Sequence, residues 1–312
     1  MHALARTLRR DLAARGLTPA SAPAEAAAGR SEEAAIVPAE LVEGAELQAL
    51  PVGTAAPWPD PLAFLDGTQH AELIGYAGAA PLLFAEIGAA VRERRGRRLR
   101  TVQAERQWLV VGRPAALDAA TLARPGVTTL ALHDGEPPHP VRDLVLARRA
   151  VDQARGALEV AVAARYRARA DGWLVVDGSL AESPAWAADP RMVGVVKSHA
   201  SLPFEGAALE RYLRLPPAHR SSIFAPGSRR LAPVRAWALR LWPWEGRDLF
   251  HGLVRVEVAP ANGTPAIAAQ LSRWLLAERA PLSTPDPRWD RLLYGIRATE
   301  RFLRHAPRPV GA

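Results

Sequence analysis

Apolar positions in this chain fall into short runs, and several of them stop at a glycine or an acid. Over residues 2–15, Leu4, Leu8 and Leu12 make one stripe, which predicts a short amphipathic helix. Residues 18–35 are Ala, Pro, Ser and Glu, the composition of a linker. Residues 36–60 hold scattered apolar positions and several prolines and read as an irregular lead-in, so the folded core is expected to start near Pro61. A strand at 62–66 and a turn precede a second apolar stretch at 72–77. Leu82, Leu83, Ile87 and Val91 have helical spacing within 81–95. A strand over Trp108–Val111 leads to a Pro-, Gly- and Asp-rich connecting segment, 115–140.

A long helix is predicted over 141–169, with Leu144, Val151, Ala154, Leu158 and Ala161 on one face. Strands follow at 173–177 and 192–197. The segments 234–242 and 252–258 alternate apolar with charged residues, as half-exposed antiparallel strands do. Helices at 265–278 and 288–304 close the chain. This order predicts an α/β protein, a mixed sheet with flanking helices and an N-terminal helical extension. The expected organisation is a helix and lead-in over 1–60, one domain over 61–305 and a tail over 306–312.

Two of the apolar runs end alike. Phe64-Leu65-Asp66-Gly67-Thr68 and Trp173-Leu174-Val175-Val176-Asp177-Gly178-Ser179-Leu180 each stop on a carboxylate, and a glycine then lets the backbone turn. Asp-Gly is also a common strand-exit turn with no further meaning. Glu159 lies 18 residues before Asp177, beside the apolar stripe of the long helix. Packed on the sheet, that helix would bring Glu159 to the end of the Asp177 strand. Carboxylates on neighbouring strands can share a divalent cation, and Mg²⁺ or Mn²⁺ prefers oxygen ligands. Lys197 is the only lysine in the chain and stands at a strand end, where an ammonium can bind phosphate. His199 is a candidate ligand or proton shuttle, with a structural role as the alternative.

Composition narrows the partners. Forty basic residues against 32 acidic give a net charge of +8, which favours a polyanion such as nucleic acid. A codon bias that replaces lysine with arginine is the competing explanation. Arg94, Arg95, Arg97, Arg98 and Arg100 could track a phosphate backbone or form a solvated hairpin end. Arg229 and Arg230 follow a Pro-Gly-Ser loop and are further phosphate candidates. Trp237, Trp242 and Trp244 lie among arginines and could stack on bases or pack in a core. The chain has no cysteine, which excludes disulfides, thiolate zinc sites and a cysteine nucleophile. No apolar stretch approaches the roughly 20 residues needed to cross a bilayer. Charges interrupt the N-terminal segment where a signal peptide needs an apolar run. A cytoplasmic location is expected. No P-loop, Gly-x-Ser-x-Gly elbow or His-Glu-x-x-His motif is present.

Asp66-Gly67-Thr68, Glu159, Val176-Asp177-Gly178-Ser179-Leu180 and Val193-Gly194-Val195-Val196-Lys197-Ser198 together resemble the NurA nuclease family. Leu253-Val254-Arg255-Val256-Glu257 resembles a late strand of that family, and the similarity spreads over roughly 60–305. The resemblance implies an RNase H-like fold and a manganese-dependent DNA nuclease acting on single strands and ends. It also implies a homodimer working with a hexameric HerA-type ATPase that translocates DNA. By position, Asp66, Glu159 and Asp177 would be Mn²⁺ or Mg²⁺ ligands, and Lys197 would sit near the scissile phosphate. The family usually has a histidine in the last helix, where this chain has Glu300. Glu300 is then a fourth carboxylate, or the site has lost a ligand. Tyr294 lies near the place of a family aromatic. The N-terminal helix and linker would serve to dock the ATPase. The rival expectation is a catalytically silent DNA-binding subunit that regulates a translocase. An RNase H-like enzyme preferring RNA or a hybrid is a further alternative.

Overall fold

The computed structural model describes residues 2–23, 35–96, 98–120, 125–133, 135–227, 232–245, 247–279 and 293–305. The chain opens with α1 (His2–Ala14) and β1 (Thr18–Pro23), followed by three short strands, β2 (Ala35–Ile36), β3 (Glu40–Leu41) and β4 (Ala49–Pro51). Three long strands come next: β5 (Leu62–Ala77), β6 (Ala80–Arg95) and β7 (Arg98–Gly112). After α2 (Pro114–Ala120) and β8 (Val127–Ala131) comes the longest helix, α3 (Pro140–Arg167). Then follow β9 (Trp173–Asp177), α4 (Pro184–Ala188), β10 (Met192–Val196), β11 (Ser201–Leu202) and α5 (Gly206–Leu213). The remainder is β12 (His219–Ser221), β13 (Phe224–Ala225), β14 (Arg235–Arg240), β15 (Leu253–Val258), α6 (Pro265–Glu278) and α7 (Tyr294–His305).

One mixed sheet runs β3-β13-β14-β15-β10-β9-β5-β6-β7-β8. β5, β6 and β7 form an antiparallel meander, while β9 lies parallel to β5 and β10 parallel to β9. The order β7-β6-β5-β9-β10 is an RNase H-like arrangement, the fold that the family resemblance implies, with β15 and β14 added antiparallel beyond β10.

Strand alternation divides the core into layers. Ala63, Leu65, Ile87, Ala89, Leu174 and Val176 face α3 and pack with its Ala147, Val151, Leu158 and Val162. Leu62, Phe64, Val175, Val193 and Val195 face the other way, toward Leu271 and Leu275 of α6 and Ile296 of α7. On that side, further along β5 and β6, Ala5, Leu8 and Leu12 of α1 cover Ile74, Leu82 and Phe84.

Several elements differ from the sequence expectation. Residues 81–95 are a strand and not a helix. Both faces of β6 are covered by helices, so both are apolar and the period-2 signal disappears. The strand that starts at Leu62 does not end at Asp66; β5 runs on to Ala77. The connecting segment 115–140 contains a helix and a strand. β14 and β15 are buried on both faces rather than half-exposed: their charged residues Arg240, Arg255 and Glu257 lie inside. Within the expected linker, Thr18–Pro23 pairs with β5; residues 24–34 lie outside the described set. The lead-in contributes β3 and β4 to the sheet. The leucine stripe of α1 is spent on the sheet, and Arg9 pairs with Glu72 at 2.8 Å, so that stripe is not free for a partner.

α7 is held from below. Gly295 lies against the ring of Phe64, where a Cβ would overlap it. Arg92 donates to the carbonyls of Ala298 (2.9 Å) and Leu99 (3.0 Å) and lies 5.5 Å from the centre of the Phe302 ring. Arg106 donates to the Leu303 carbonyl and pairs with Glu86. The Arg92→Ala variant is expected to lose about 1–2 kcal/mol in urea denaturation, the worth of its charge-assisted bonds. An unchanged midpoint would mean that apolar packing alone docks the helix.

Candidate metal centre

Asp66 and Asp177 arrive side by side because β5 and β9 are parallel neighbours, with Leu65 opposite Val176. Both belong to the face that carries Phe64 and Val175, the face under α7. Asp66 is buried, and its Oδ1 accepts from the Gly67 N–H at 2.8 Å. Asp177 ends its strand, and Gly178 takes φ +146°, a conformation that disfavours any residue with a Cβ. Lys197, just beyond β10, places Nζ 2.9 Å from Asp177 Oδ1. Glu300 comes from the inner side of α7, with its side chain 16% exposed, and accepts from Arg304 at 2.6 Å.

Glu159 approaches from the opposite side of the sheet. It sits on α3, nearly buried, directly over Gly67. A Cβ on residue 67 would overlap the Glu159 carboxylate. Gly67 is therefore a mid-strand window through which an acid from the helix layer reaches the sheet. Arg155, one turn earlier, pairs with both Glu159 and Asp152, and its Nε donates to Gln69 Oε1 at 3.1 Å.

The electrostatics mark this region as unusual. Burial pushes the Asp66 carboxyl well above the usual carboxylate range. The Asp177 charge adds to this, Lys197 opposes it, and Glu159 and Glu300 raise it further. Burial likewise raises Glu159 to about 7; Arg155 pulls it down, and Glu182 and Asp177 push it up. Of the residues predicted from the sequence, Glu159, Asp177, Lys197 and Glu300 thus all act electrostatically on the buried Asp66.

A hard divalent cation requires oxygen donors, and this donor set consists of carboxylates only. Repulsion among buried acids is also what a cation would relieve. Among the described residues, however, no three Asp, Glu or His side chains already stand at ligand spacing. Asp177 is turned to Lys197 and Glu159 to Arg155. The donor chemistry fits a cation, provided these side chains turn from their internal partners.

The basic candidates are divided. Arg94 is engaged with Glu278, Asp60 and the Trp58 carbonyl. Arg95 pairs with Glu93 at 2.5 Å but remains largely exposed, and Arg98 and Arg100 are exposed. Arg97, Arg229 and Arg230 lie outside the described residues. Arg94 pairs in register with Leu62, and Ala90 with Asp66, so the β6–β7 hairpin tip begins about 13 Å along the sheet from the acids. Trp237 is a core residue, its Nε1 donating to Ser272 Oγ at 2.9 Å, and Arg279 covers the Trp242 ring at 4.1 Å. His199 stacks on Phe250, and its Nε2 meets the Leu253 carbonyl at 3.0 Å.

Two residues near the acids were missed in the sequence. Arg155 precedes Glu159 by four, a helical ion-pair spacing that was legible. Glu182 follows Asp177 as the exposed residue of an otherwise buried 3₁₀ turn and carries no periodic signal.

No protein-family model matches this sequence, and no curated protein matches it. Among solved structures, the crystal structure of the NurA nuclease from Sulfolobus solfataricus is similar to this chain, with a TM-score of 0.50 and 10% identity. The superposition covers 79% of each chain. At this identity the likeness is one of fold.

Proposed function

We propose that this chain is a divalent-metal-dependent DNA nuclease that cuts single strands or processes duplex ends. One observation supports the reading: Glu159, Asp177, Glu300 and Lys197, distant in sequence, all bear electrostatically on the buried Asp66 of a NurA-like sheet. Asp66, Glu159 and Asp177 would hold Mn²⁺ or Mg²⁺, with Glu300 as a fourth carboxylate. The bound cation would polarise the phosphate and help to generate the attacking hydroxide. Lys197, released from Asp177, would meet the charge of the scissile phosphate. Glu159, with its proton held near neutral pH, could take up or give back a proton during hydrolysis. Exposed Arg98 and Arg100 would hold the strand at a distance from the cut.

The expected partners are DNA ends and single strands, a hexameric HerA-type ATPase, and a second copy of the chain. A cytoplasmic setting is part of this proposal; none of the helices, over the described residues, is long and apolar enough to cross a membrane. The test is cleavage of end-labelled single-stranded DNA by wild-type protein in Mn²⁺, Mg²⁺ or EDTA, alone and with the ATPase. Cutting in Mn²⁺ or Mg²⁺ that EDTA stops supports the nuclease. DNA binding without cutting in every condition supports the second reading, a silent DNA-binding subunit. The pairs Lys197–Asp177 and Arg155–Glu159 favour that alternative, since they neutralise two of the acids internally.

A further inference from the structure

The segment that leaves Asp177 is gripped by a buried carboxylate on a strand two places away. β10 lies between β9 and β15, and Gly194 of β10 is in register with Glu257 of β15. A Cβ at Gly194 would stand 2.8 Å from the Gly178 carbonyl and 3.2 Å from the Leu180 nitrogen. The bare backbone of residue 194 therefore lets the 178–180 turn fold back over the sheet. Glu257 reaches this turn past Gly194. It is 1% exposed, and its Oε2 accepts from Ser179 Oγ at 2.6 Å and from the Leu180 N–H at 3.0 Å. Its Oε1 accepts from Arg255 Nε at 3.0 Å. Ser179 Oγ in turn accepts from the Ala181 N–H and caps the short 3₁₀ turn that carries Glu182.

A buried carboxylate is costly unless charge and hydrogen bonds compensate it. A turn could be capped by Ser179 alone. A charged grip, with its own buried arginine, fixes the turn far more rigidly than capping requires. Gly178, at φ +146°, is the single residue between the grip and Asp177, and its N–H is held by the Val176 and Val195 carbonyls at 3.1 and 3.2 Å.

We infer that Glu257 is a positioning residue for the candidate centre: through Ser179 and Leu180 it sets where the Asp177 carboxylate points. This rests on the metal-dependent reading above. Glu257 touches neither cation nor substrate in this account. Residues that orient ligating carboxylates typically alter metal affinity about 10–100-fold when changed.

The experiment compares Glu257→Leu, Glu257→Gln, Ser179→Ala and Asp177→Ala. Mn²⁺ affinity is measured by calorimetry, and amide hydrogen exchange of residues 178–181 in metal-free protein. Glu257→Leu and Ser179→Ala are expected to weaken Mn²⁺ binding about tenfold or more and to speed exchange at Leu180. Glu257→Gln keeps an oxygen acceptor for both donors and is expected to recover most of the affinity. If Glu257→Leu does not fold, Ser179→Ala still decides the matter. Should Asp177→Ala bind Mn²⁺ like wild type, the metal reading itself fails. Loss of binding in Asp177→Ala, with wild-type affinity in Ser179→Ala and in whichever Glu257 variants fold, overturns the positioning role alone.

Discussion

Replacing Gly67 by alanine is expected to slow metal-dependent cleavage about a hundredfold, with little change in DNA affinity. The added methyl would occupy the space of the Glu159 carboxylate. α3 cannot back away freely, because Val151, Leu158 and Val162 are locked into the sheet on either side of Glu159. Glu159 must then rotate off the window, carrying its Arg155 pair with it. A displacement of about 1 Å in a catalytic group can cost two orders of magnitude. Gly88→Ala is the control, since a Cβ there meets its nearest atoms at 3.5 Å, an ordinary contact. Single-turnover rates at saturating DNA distinguish the cases. A wild-type rate in Gly67→Ala would remove Glu159 from the centre.

Thermal stability without divalent ions is expected to fall as pH rises from about 5 to 8, by about 3 kcal/mol. Glu159 has an ordinary value of 4.5 and a folded value of about 7. The folded protein therefore holds this proton more tightly than the unfolded chain does. Between those two values the native state binds more protons, so stability declines with rising pH, and the full penalty is present above the folded value. Asp66, raised by burial and by Asp177, acts in the same direction. A cation among ionised acids would offset the penalty. Mn²⁺ should raise the melting temperature more at pH 8 than at pH 6, and Glu159→Gln should flatten the metal-free pH profile. Equal Mn²⁺ stabilisation at both values would contradict this account.

Much of the candidate site was legible in the sequence because chain order fixes it. Asp177 ends a short apolar strand and Lys197 follows the next one, so parallel neighbours place them together. Glu159 lies on a helix whose predicted stripe packs on the sheet through Leu144, Val151, Ala154 and Leu158, with Val162 in place of Ala161. Asp66-Gly67 predicts a turn, but β5 is extended there and the glycine serves to admit Glu159. Sequence cannot separate a glycine needed for backbone freedom from one needed for room. β6 was misread for a related reason: a strand with helices on both faces loses the alternation that identifies a strand. The basic run was legible as charge but not as geometry. Arg92 holds α7 and Arg94 pairs with Glu278, leaving the outer arginines on the hairpin.

The most direct test of the central claim is cleavage of end-labelled single-stranded DNA in Mn²⁺ by wild type and by Asp177→Ala. The account predicts cutting that EDTA stops and that Asp177→Ala loses while still binding DNA. Cutting by Asp177→Ala at the wild-type rate, or no cutting by wild type even with a HerA-type ATPase added, would contradict it.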